Sequence, residues 1–355
     1  MSNNPPSSSS NSRSNIIDAL RGLAAFAVLL FHYFGFLRFA NPPLNWTERV
    51  VLGITSFGYL GVPVFFVVSG YVIAMTTLDL KFTGINGARF FFRRFLRIAI
   101  PYWFMVLVTA STIYVGHIVG RFETVEVSGI QVLAHLVYAQ DILGFKALND
   151  AFWTLCLEVQ FYAIFALASV AFRFLRLSLD RIFLCWVLSV ILSFTLDCFE
   201  CLNQCWAPRL WYQFGLGILA YQSTVNCRQH VNAIVFFALF LLASLVLYRI
   251  ELVVLSCTAF LLLFKKNRAM FNRVVPAQLI HLGAISYSIY LVHGYLGMLL
   301  NSAVKSPPIL SIASPLMVIS TAVILAVTAA IIFHRFIEIP GIKVSKRIQL
   351  GSKLT

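Results

Sequence analysis

An arginine and a histidine lie eleven residues apart in the first apolar run of the chain. Arg21 and His32 belong to the run from Ile16 to Ala40. Eleven helical steps return to the same face and cover roughly 16 Å, about half of a bilayer core. Charged and ionisable groups inside a membrane usually face a functional interior. Taken alone, the pair is better explained by an edge arginine that snorkels and a histidine satisfied by a carbonyl; the segments below reverse this preference and favour the functional interpretation.

Four arginines precede the third apolar run. Arg89, Arg93 and Arg97 follow i, i+4, i+8 spacing and share one helix face, with Arg94 beside them. Their guanidinium groups match the oxygens of a phosphorylated cytoplasmic ligand. Such a cluster is equally typical of plain positive-inside anchoring, and spacing alone leaves the two interpretations even.

A carboxylate stands in the segment Trp153–Tyr162. We predict that Glu158 is the only carboxylate well inside a span, with Tyr162 one turn further on the same face. A carboxylate in lipid must be neutral or paired. Pairing with His32 would orient the imidazole as a general base. A structural tie between Glu158 and an arginine or a tyrosine is the alternative.

A polar stripe follows near the end of the chain. Ser286, Tyr290 and His293 share a helix face. Small polar residues often hold helices together in lipid, which is the interpretation we favour for Ser286 and Ser288. His293 is placed to line the outer mouth of a cavity.

The composition assigns all of these residues to a membrane protein. The chain is 60% hydrophobic and only 11% charged, and several apolar runs reach the roughly 18–20 residues that span lipid. The net charge is +14, but the basic residues lie in the connections between the apolar runs rather than along one soluble face. The sequence also has no phosphate-binding glycine loop. We therefore expect no nucleic-acid partner. The cysteines form no zinc pattern, and we expect no metal. Cys198, Cys201 and Cys205 share one loop in which an oxidising compartment would permit one disulfide.

The pattern predicts an all-α, polytopic transmembrane bundle of about ten spans with both termini in the cytoplasm. The predicted spans are Ile17–Phe39, Ser56–Leu78, Arg97–Val119, Asp150–Phe172, Ile182–Phe199, Ala207–Ser223, Val231–Tyr248, Leu252–Phe264, Ile280–Asn301 and Ile312–Phe336. This orientation puts 20 of the 27 lysines and arginines inside, as the positive-inside rule expects. The sixth and eighth spans are short, so tilt or partial burial is expected. A short helix is predicted around Ile130–Leu143 in an outer connection.

Residues 1–15 are rich in serine and asparagine and are predicted to be a disordered cytoplasmic tail. The membrane domain is predicted to cover residues 16–340, and a basic cytoplasmic tail residues 341–355. The first apolar run carries Asp18 and Arg21 and has no persuasive cleavage site, so we predict that it is retained rather than removed as a signal peptide.

Taken together and in order, these segments resemble the acyltransferase-3 family of integral-membrane O-acyltransferases. The matching segments span nearly the whole chain. They are Leu20–Ala25 leading to Phe31-His32-Tyr33, Gly61 with Phe65–Tyr71, Phe92–Ile98 before Pro101-Tyr102, Trp153–Tyr162, Ser286–His293, and Glu338-Ile339-Pro340.

The resemblance implies transfer of an acyl group, usually acetyl, from cytoplasmic acetyl-CoA or another acyl-CoA to a hydroxyl of a glycan at the outer face. A bacterial inner membrane is the expected location. The family's arginine–histidine motif falls on Arg21 and His32, and its basic motif falls on Arg93, Arg94 and Arg97. Two departures stand out: Val159 follows Glu158 where a second acidic residue is frequent, and Gly294 follows His293 where proline is common. We expect no fused esterase-like domain.

The predicted mechanism places the CoA phosphates on Arg93, Arg94 and Arg97, with Arg21 orienting Asp18 or a group of the donor. His32 acts as general base or transient acyl carrier, supported by Glu158. Ser69, Tyr162, Tyr290 and His293 line the acceptor path. A transporter or flippase for a glycan or a lipid-linked precursor is the rival function, although the sequence has no Gly- or Pro-broken helix pair in matching halves. A membrane scaffold or channel would not need His32.

Overall fold

The fold is built from helices throughout the part of the chain that the structure describes. The computed structural model describes residues 15–39, 44–77, 82–119, 127–225, 227–264, 275–304 and 314–350. The predicted N-terminal tail lies almost wholly outside these residues, as does most of the basic connection after residue 264.

The helices follow the predicted apolar segments. The first half contains α1 (Asn15–Phe34), α2 (Trp46–Thr55), α3 (Gly61–Thr77), α4 (Gly84–Ile118), α5 (Gly129–Leu136), α6 (Phe152–Phe174) and α7 (Leu179–Cys198). The second half contains α8 (Ala207–Val225), α9 (Cys227–Leu247), α10 (Ile250–Leu263), α11 (Ala277–Ala284), α12 (Ser286–Val304), α13 (Pro315–Phe333) and α14 (Ile339–Lys346). Each of the ten predicted spans therefore contains a helix, and the all-α class is confirmed.

Seven described helices are long and apolar enough to cross a bilayer, or eight when α11 and α12 are taken as one span bent by 67°. The number of ten spans and the direction in which they cross therefore remain predictions. The sequence analysis predicted one continuous span, Ile280–Asn301, and did not anticipate the bend that divides it into α11 and α12. α10 is the short apolar helix among the remainder, with 14 residues.

α8 is 19 residues long and lies inside the bundle rather than against lipid. Most of its residues are buried, including polar Arg209 and Gln213. Two glycines let its backbone approach α3 closely: a Cβ on Gly70 would lie 1.9 Å from the Phe214 carbonyl oxygen, and one on Gly217 would lie 1.9 Å from the Val67 carbonyl oxygen. Small residues permit such contacts between membrane helices, and here they fix the helix that carries Ser69.

Substitution of Gly217 by valine is expected to destabilise the protein. The new side chain meets backbone atoms of α3, which cannot rotate away, and overpacking of this kind costs about 1–3 kcal/mol or more. The thermal unfolding midpoint in detergent, followed by tryptophan fluorescence, should fall. Gly53→Ala is the matched control, because nothing lies within 4 Å of a Cβ at Gly53; an equal loss in both variants would contradict the packing account.

A buried ion pair network ties α7 to α8 and α10 at the end predicted to be outside. The Asp197 carboxylate accepts hydrogen bonds from Arg209 and Arg249, each at 2.8 Å. Two guanidinium groups satisfy the buried carboxylate, so the network fixes helix register there. Cys198, Cys201 and Cys205 lie nearby with free thiols in the structure, and the disulfide that the sequence permits stays a prediction.

One prediction about a connecting segment needs correction. The outer helix predicted around Ile130–Leu143 ends at Leu136, and turns follow it. The predicted domain boundary at residue 340 falls within α14, which packs against α4 and is continuous with α13 through a π-helical turn at His334–Glu338. A Cβ at Gly341 would lie 3.4 Å from Ile100 and Pro101, which is ordinary van der Waals contact and shows how close α14 lies to α4.

Candidate functional site

A cavity of about 90 Å³ lies at the centre of the bundle and collects most of the predicted site residues. Helices α1, α3, α4, α6 and α12 line it, together with the turn before α14. Its polar lining consists of Arg21, Ser69, Arg94, Arg97, Thr154, Glu158, Tyr162, Tyr287, Tyr290 and Glu338. Segments distant in sequence thus converge on one polar space within an apolar bundle.

The cavity has two chemically different ends. Along α3 its lining runs from Ile73 to Val62, eleven residues or roughly 16 Å. Near Ile73, Arg94 donates a hydrogen bond to Thr76 at 2.7 Å. At the opposite end, the ring of Phe65 contacts that of Tyr290 at 5.9 Å. We call these the arginine end, predicted to be cytoplasmic, and the tyrosine end.

The arginine end is cationic. Arg21, Arg94 and Arg97 line the cavity, whereas Arg93 is half-buried outside its lining and Arg89 is exposed. The two carboxylates of the lining are Glu158 and Glu338, so arginines outnumber carboxylates by three to two. α4 is 35 residues long, about 52 Å, so its arginine-bearing first turns extend past a 30 Å hydrocarbon core.

Glycine packing holds Arg21 in this position. A Cβ on Gly283 of α11 would lie 1.9 Å from the Asp18 carbonyl oxygen, and one on Gly22 would lie 2.7 Å from the Gly283 nitrogen. α1 and α11 therefore touch backbone to backbone one residue from Arg21. The charged groups that act on Arg21 are, in order of effect, Arg97, Glu338, Glu158 and Asp18.

Glu158 does not pair with His32 as predicted. Its carboxylate accepts hydrogen bonds from Tyr162, one turn along α6, and from Ser69 of α3 at 3.3 Å. The reason is its depth: Glu158 lies beside Ser69 and Tyr162 within the cavity, whereas His32 lies beyond the tyrosine end. The structural tie to a tyrosine, which the sequence left open, is what the structure contains.

Glu338 is a site residue that the sequence analysis missed, because the last span was predicted to end at Phe336. Helix α13 instead continues through the π-helical turn, which carries Glu338 into the cavity with 4% exposure. Its carboxylate accepts from Ser288 Oγ at 2.6 Å and contacts His334 Nδ1 at 2.8 Å. π-Helical turns of this kind are frequent at functional sites. The Glu338-Ile339-Pro340 segment was the available signal.

Tyr290 closes the tyrosine end. Its hydroxyl lies 2.6 Å from Thr154 Oγ1, and its ring contacts Phe65 on one side and His293 on the other, the latter at 5.6 Å. Tyr290 lines the cavity as predicted, but His293 lies behind it rather than in the lining. The aromatic ring is thus the partition between the cavity and the histidines.

His32 and His293 form a ring pair beyond this partition. Their centroids are 5.1 Å apart with planes at 85°, His32 is half-buried, and His293 is 1% exposed. Tyr33 donates to the His293 carbonyl at 3.0 Å, which fixes α1 against α12 here. Asp150 is the carboxylate that acts electrostatically on His32. Within the described residues, no group of three His, Cys, Asp or Glu side chains is placed to hold a metal ion.

The segment between α5 and α6 places Asn149 against Gly294, the neighbour of His293, and Asp150 within electrostatic range of His32. His135 fixes it: Nδ1 donates to the Gln131 carbonyl at 2.8 Å, and Nε2 accepts from the Leu148 amide at 3.1 Å. Only the neutral ring satisfies both contacts, because Nε2 must lack a proton in order to accept. The ring is also fully buried. Leu148 immediately precedes Asn149 and Asp150, which lie beside the histidine pair.

Acidification is expected to loosen this segment. Burial lowers the pKa of His135 below its usual value of about 6.5, despite the opposing effects of the Gln131 hydrogen bond and Asp141. Its contribution to stability is therefore complete above about pH 6.5 and declines as the pH falls below that value. The protection factor of the Leu148 amide, which corrects hydrogen exchange for its slower intrinsic rate in acid, should fall as the pH is lowered. A His135→Gln variant should lack that dependence, and equal acid sensitivity in both proteins would contradict it.

Comparison with known proteins gives matches along most of the chain. The profile of a family described as an acyltransferase domain matches residues 14–335. A protein named as the membrane-bound transacylase BcsY of Komagataeibacter xylinus is 28% identical over 300 residues, covering 78% of this chain and 71% of that protein. The peptidoglycan O-acetyltransferase OatA of Listeria monocytogenes is 30% identical over 158 residues, covering 42% of this chain and 23% of that protein. No solved structure gives a significant match.

Proposed function

Because the chain belongs to the acyltransferase-3 family, whose profile covers most of it, we propose that it transfers an acyl group from cytoplasmic acyl-CoA to a glycan hydroxyl. It is a multi-pass membrane acyltransferase. Acetyl is the proposed group, a bacterial inner membrane is the proposed location, and the proposed acceptor lies at the outer face. A relative named as a peptidoglycan O-acetyltransferase supports both the group and the class of acceptor.

The observation that carries the proposal is the cavity with arginines at one end and a histidine pair beyond the other. CoA carries several phosphate charges on its nucleotide and a thioester at the tip of a flexible arm. Arg94 and Arg97 provide planar donors suited to phosphate oxygens, with Arg21 further inside. Arg93 lies outside the cavity lining, so in this proposal it attracts the nucleotide electrostatically.

The arm then extends along the cavity past Glu158 and Ser69. Tyr162 donates a hydrogen bond to the Glu158 carboxylate. The cavity wall beside the thioester is therefore polar, and its carboxylate has a hydrogen-bond partner. Because Tyr290 separates the cavity from His32, the reaction requires its ring to move when the donor binds. Breaking the Thr154 contact and the ring contact to Phe65 opens that route.

His32 acts on the acceptor or on the acyl group. As general base it removes the acceptor's hydroxyl proton; as acyl carrier its nitrogen attacks the thioester carbonyl and CoA leaves as thiol. Both roles need a neutral imidazole. The His32 ring contacts His293 rather than Glu158, so Glu158 acts through the cavity wall and not on the imidazole.

Transport of a glycan or of a lipid-linked precursor is the second candidate function. The bent α11–α12 pair favours it, because transporters bind substrates at broken helices. Such transporters carry broken helices in both repeats, and among the described helices this is the one bent pair.

Label transfer separates the two functions. Purified protein in detergent would be incubated with radiolabelled acetyl-CoA and soluble peptidoglycan fragments. The proposed function predicts ester-linked label on the glycan that mild base releases. A transporter would leave all of the label on CoA, and that result would reject O-acyl transfer to this class of acceptor.

A further inference from the structure

Two buried polar atoms beside the histidine pair have no hydrogen-bond partner. One is Nε2 of His293, and the other is the amide nitrogen Nδ2 of Asn149, whose side chain is also buried at 6% exposure. A buried polar atom without a partner costs free energy. Two such atoms beside a reactive centre point to a ligand that supplies both partners.

The surrounding contacts define what each atom offers. His293 Nδ1 lies 3.0 Å from the Ile289 carbonyl, which can only accept, so Nδ1 carries the proton and Nε2 of the neutral ring is an acceptor. Asn149 Oδ1 accepts from the Ala151 amide at 2.9 Å, which turns Nδ2 away as a donor. The site therefore presents one acceptor and one donor.

Gly294 brings the Asn149 side chain against the helix that carries His293. A Cβ at this position would lie 2.0 Å from Asn149 Oδ1 and 2.7 Å from Nδ2. The Asn149 amide thus rests directly on the backbone of the residue that follows His293. Residue 294 is glycine where proline is common in the family. Because glycine has no side chain, the Asn149 amide occupies the space beside its backbone.

We propose that Asn149 and His293 bind the acceptor hydroxyl, an assignment that rests on the proposed function. A hydroxyl is donor and acceptor at once: its proton points to His293 Nε2 and its oxygen accepts from Asn149 Nδ2. The amide holds the oxygen while His293 accepts the hydrogen bond of the hydroxyl. The proton is removed by His32 when His32 is the general base, and by His293 when His32 is the acyl carrier. The oxygen forms the ester bond to the acyl carbon, the bond to the leaving CoA sulfur or His32 nitrogen breaks, and the proton passes to that leaving group.

An isosteric substitution tests the donor. Asn149→Asp keeps an oxygen for the Ala151 amide but replaces the Nδ2 donor by an acceptor. The acceptor-dependent kcat/KM with a peptidoglycan oligosaccharide should fall about 10- to 100-fold. Binding of radiolabelled CoA, measured by equilibrium dialysis, should not change.

A structural role would give a different result. Gln131→Leu loosens the same segment, because the Gln131 side chain donates to the Lys146 carbonyl at 2.8 Å, but it leaves the Asn149–Gly294 contact in place. It should lower thermal stability and leave the KM for the glycan unchanged. Equal losses of acceptor kcat/KM in both variants would overturn the assignment, as would full activity of Asn149→Asp.

A mixed acceptor gives a second readout. Chitosan oligosaccharides offer both hydroxyl and amine groups, and a neutral amine can donate to His293 and to an aspartate together. The ratio of amide to ester products should therefore rise in Asn149→Asp, whereas an unchanged ratio would count against the assignment. If the wild-type protein transfers no label to either glycan, the proposed function itself fails, which is distinguishable from a failure confined to the variant.

Discussion

Substitution of His32 by alanine is expected to reduce acyl transfer by about 10²- to 10⁴-fold, the range typical of a general base. The imidazole lies beyond the tyrosine end and contacts His293, so its loss removes chemistry and leaves the arginine end intact. Label transfer to peptidoglycan fragments measures the loss, and equilibrium dialysis of CoA should show unchanged binding.

The control is a histidine elsewhere in the bundle. His281→Ala alters an exposed ring on α11 and should retain activity within twofold. Full activity of His32→Ala would remove His32 from the mechanism. A similar loss in both variants would point to folding rather than to chemistry.

Substitution of Arg97 by alanine is expected to raise the KM for acyl-CoA about 10- to 100-fold, the equivalent of one charged hydrogen bond to phosphate. Arg97 lines the cavity two helical turns from Arg89, which is exposed outside it. Arg97→Lys should recover part of the effect, because lysine keeps the charge and loses the planar fork.

Arg89→Ala is the matched control on the same helix, and its KM for acyl-CoA should stay within twofold of the wild type. Initial rates at varied acetyl-CoA and saturating glycan separate KM from kcat. If both variants raise the KM equally, the arginines act as diffuse positive charge, and the positive-inside interpretation of the cluster is sufficient.

The sequence predicts the elements of this fold better than their contacts. Apolar run length locates helices in all ten predicted segments, because a bilayer sets the minimum length of a span. The same criterion ended the last predicted span at Phe336, two residues before Glu338. It could not foresee that the helix continues and that Glu338 turns inward to meet Ser288.

The sequence predicted which residues form the site, but not which of them contact one another. Six segments, read together, identified the family, and the profile match confirms it. Nothing in the order of those segments says that Glu158 meets Tyr162 and Ser69 while His32 meets His293. Such partners follow from how far each side chain lies along the membrane normal, which depends on glycine contacts such as Gly283 against Asp18.

The central claim is that donor and acceptor approach one reaction centre from opposite ends of the bundle. The direct test uses proteoliposomes with the protein in one known orientation, peptidoglycan fragments sealed inside, and radiolabelled acetyl-CoA outside. When the arginine end faces outward, ester-linked label should accumulate on the enclosed glycan, and His32→Ala should abolish it. Label appearing only when donor and glycan share the same side would contradict the account.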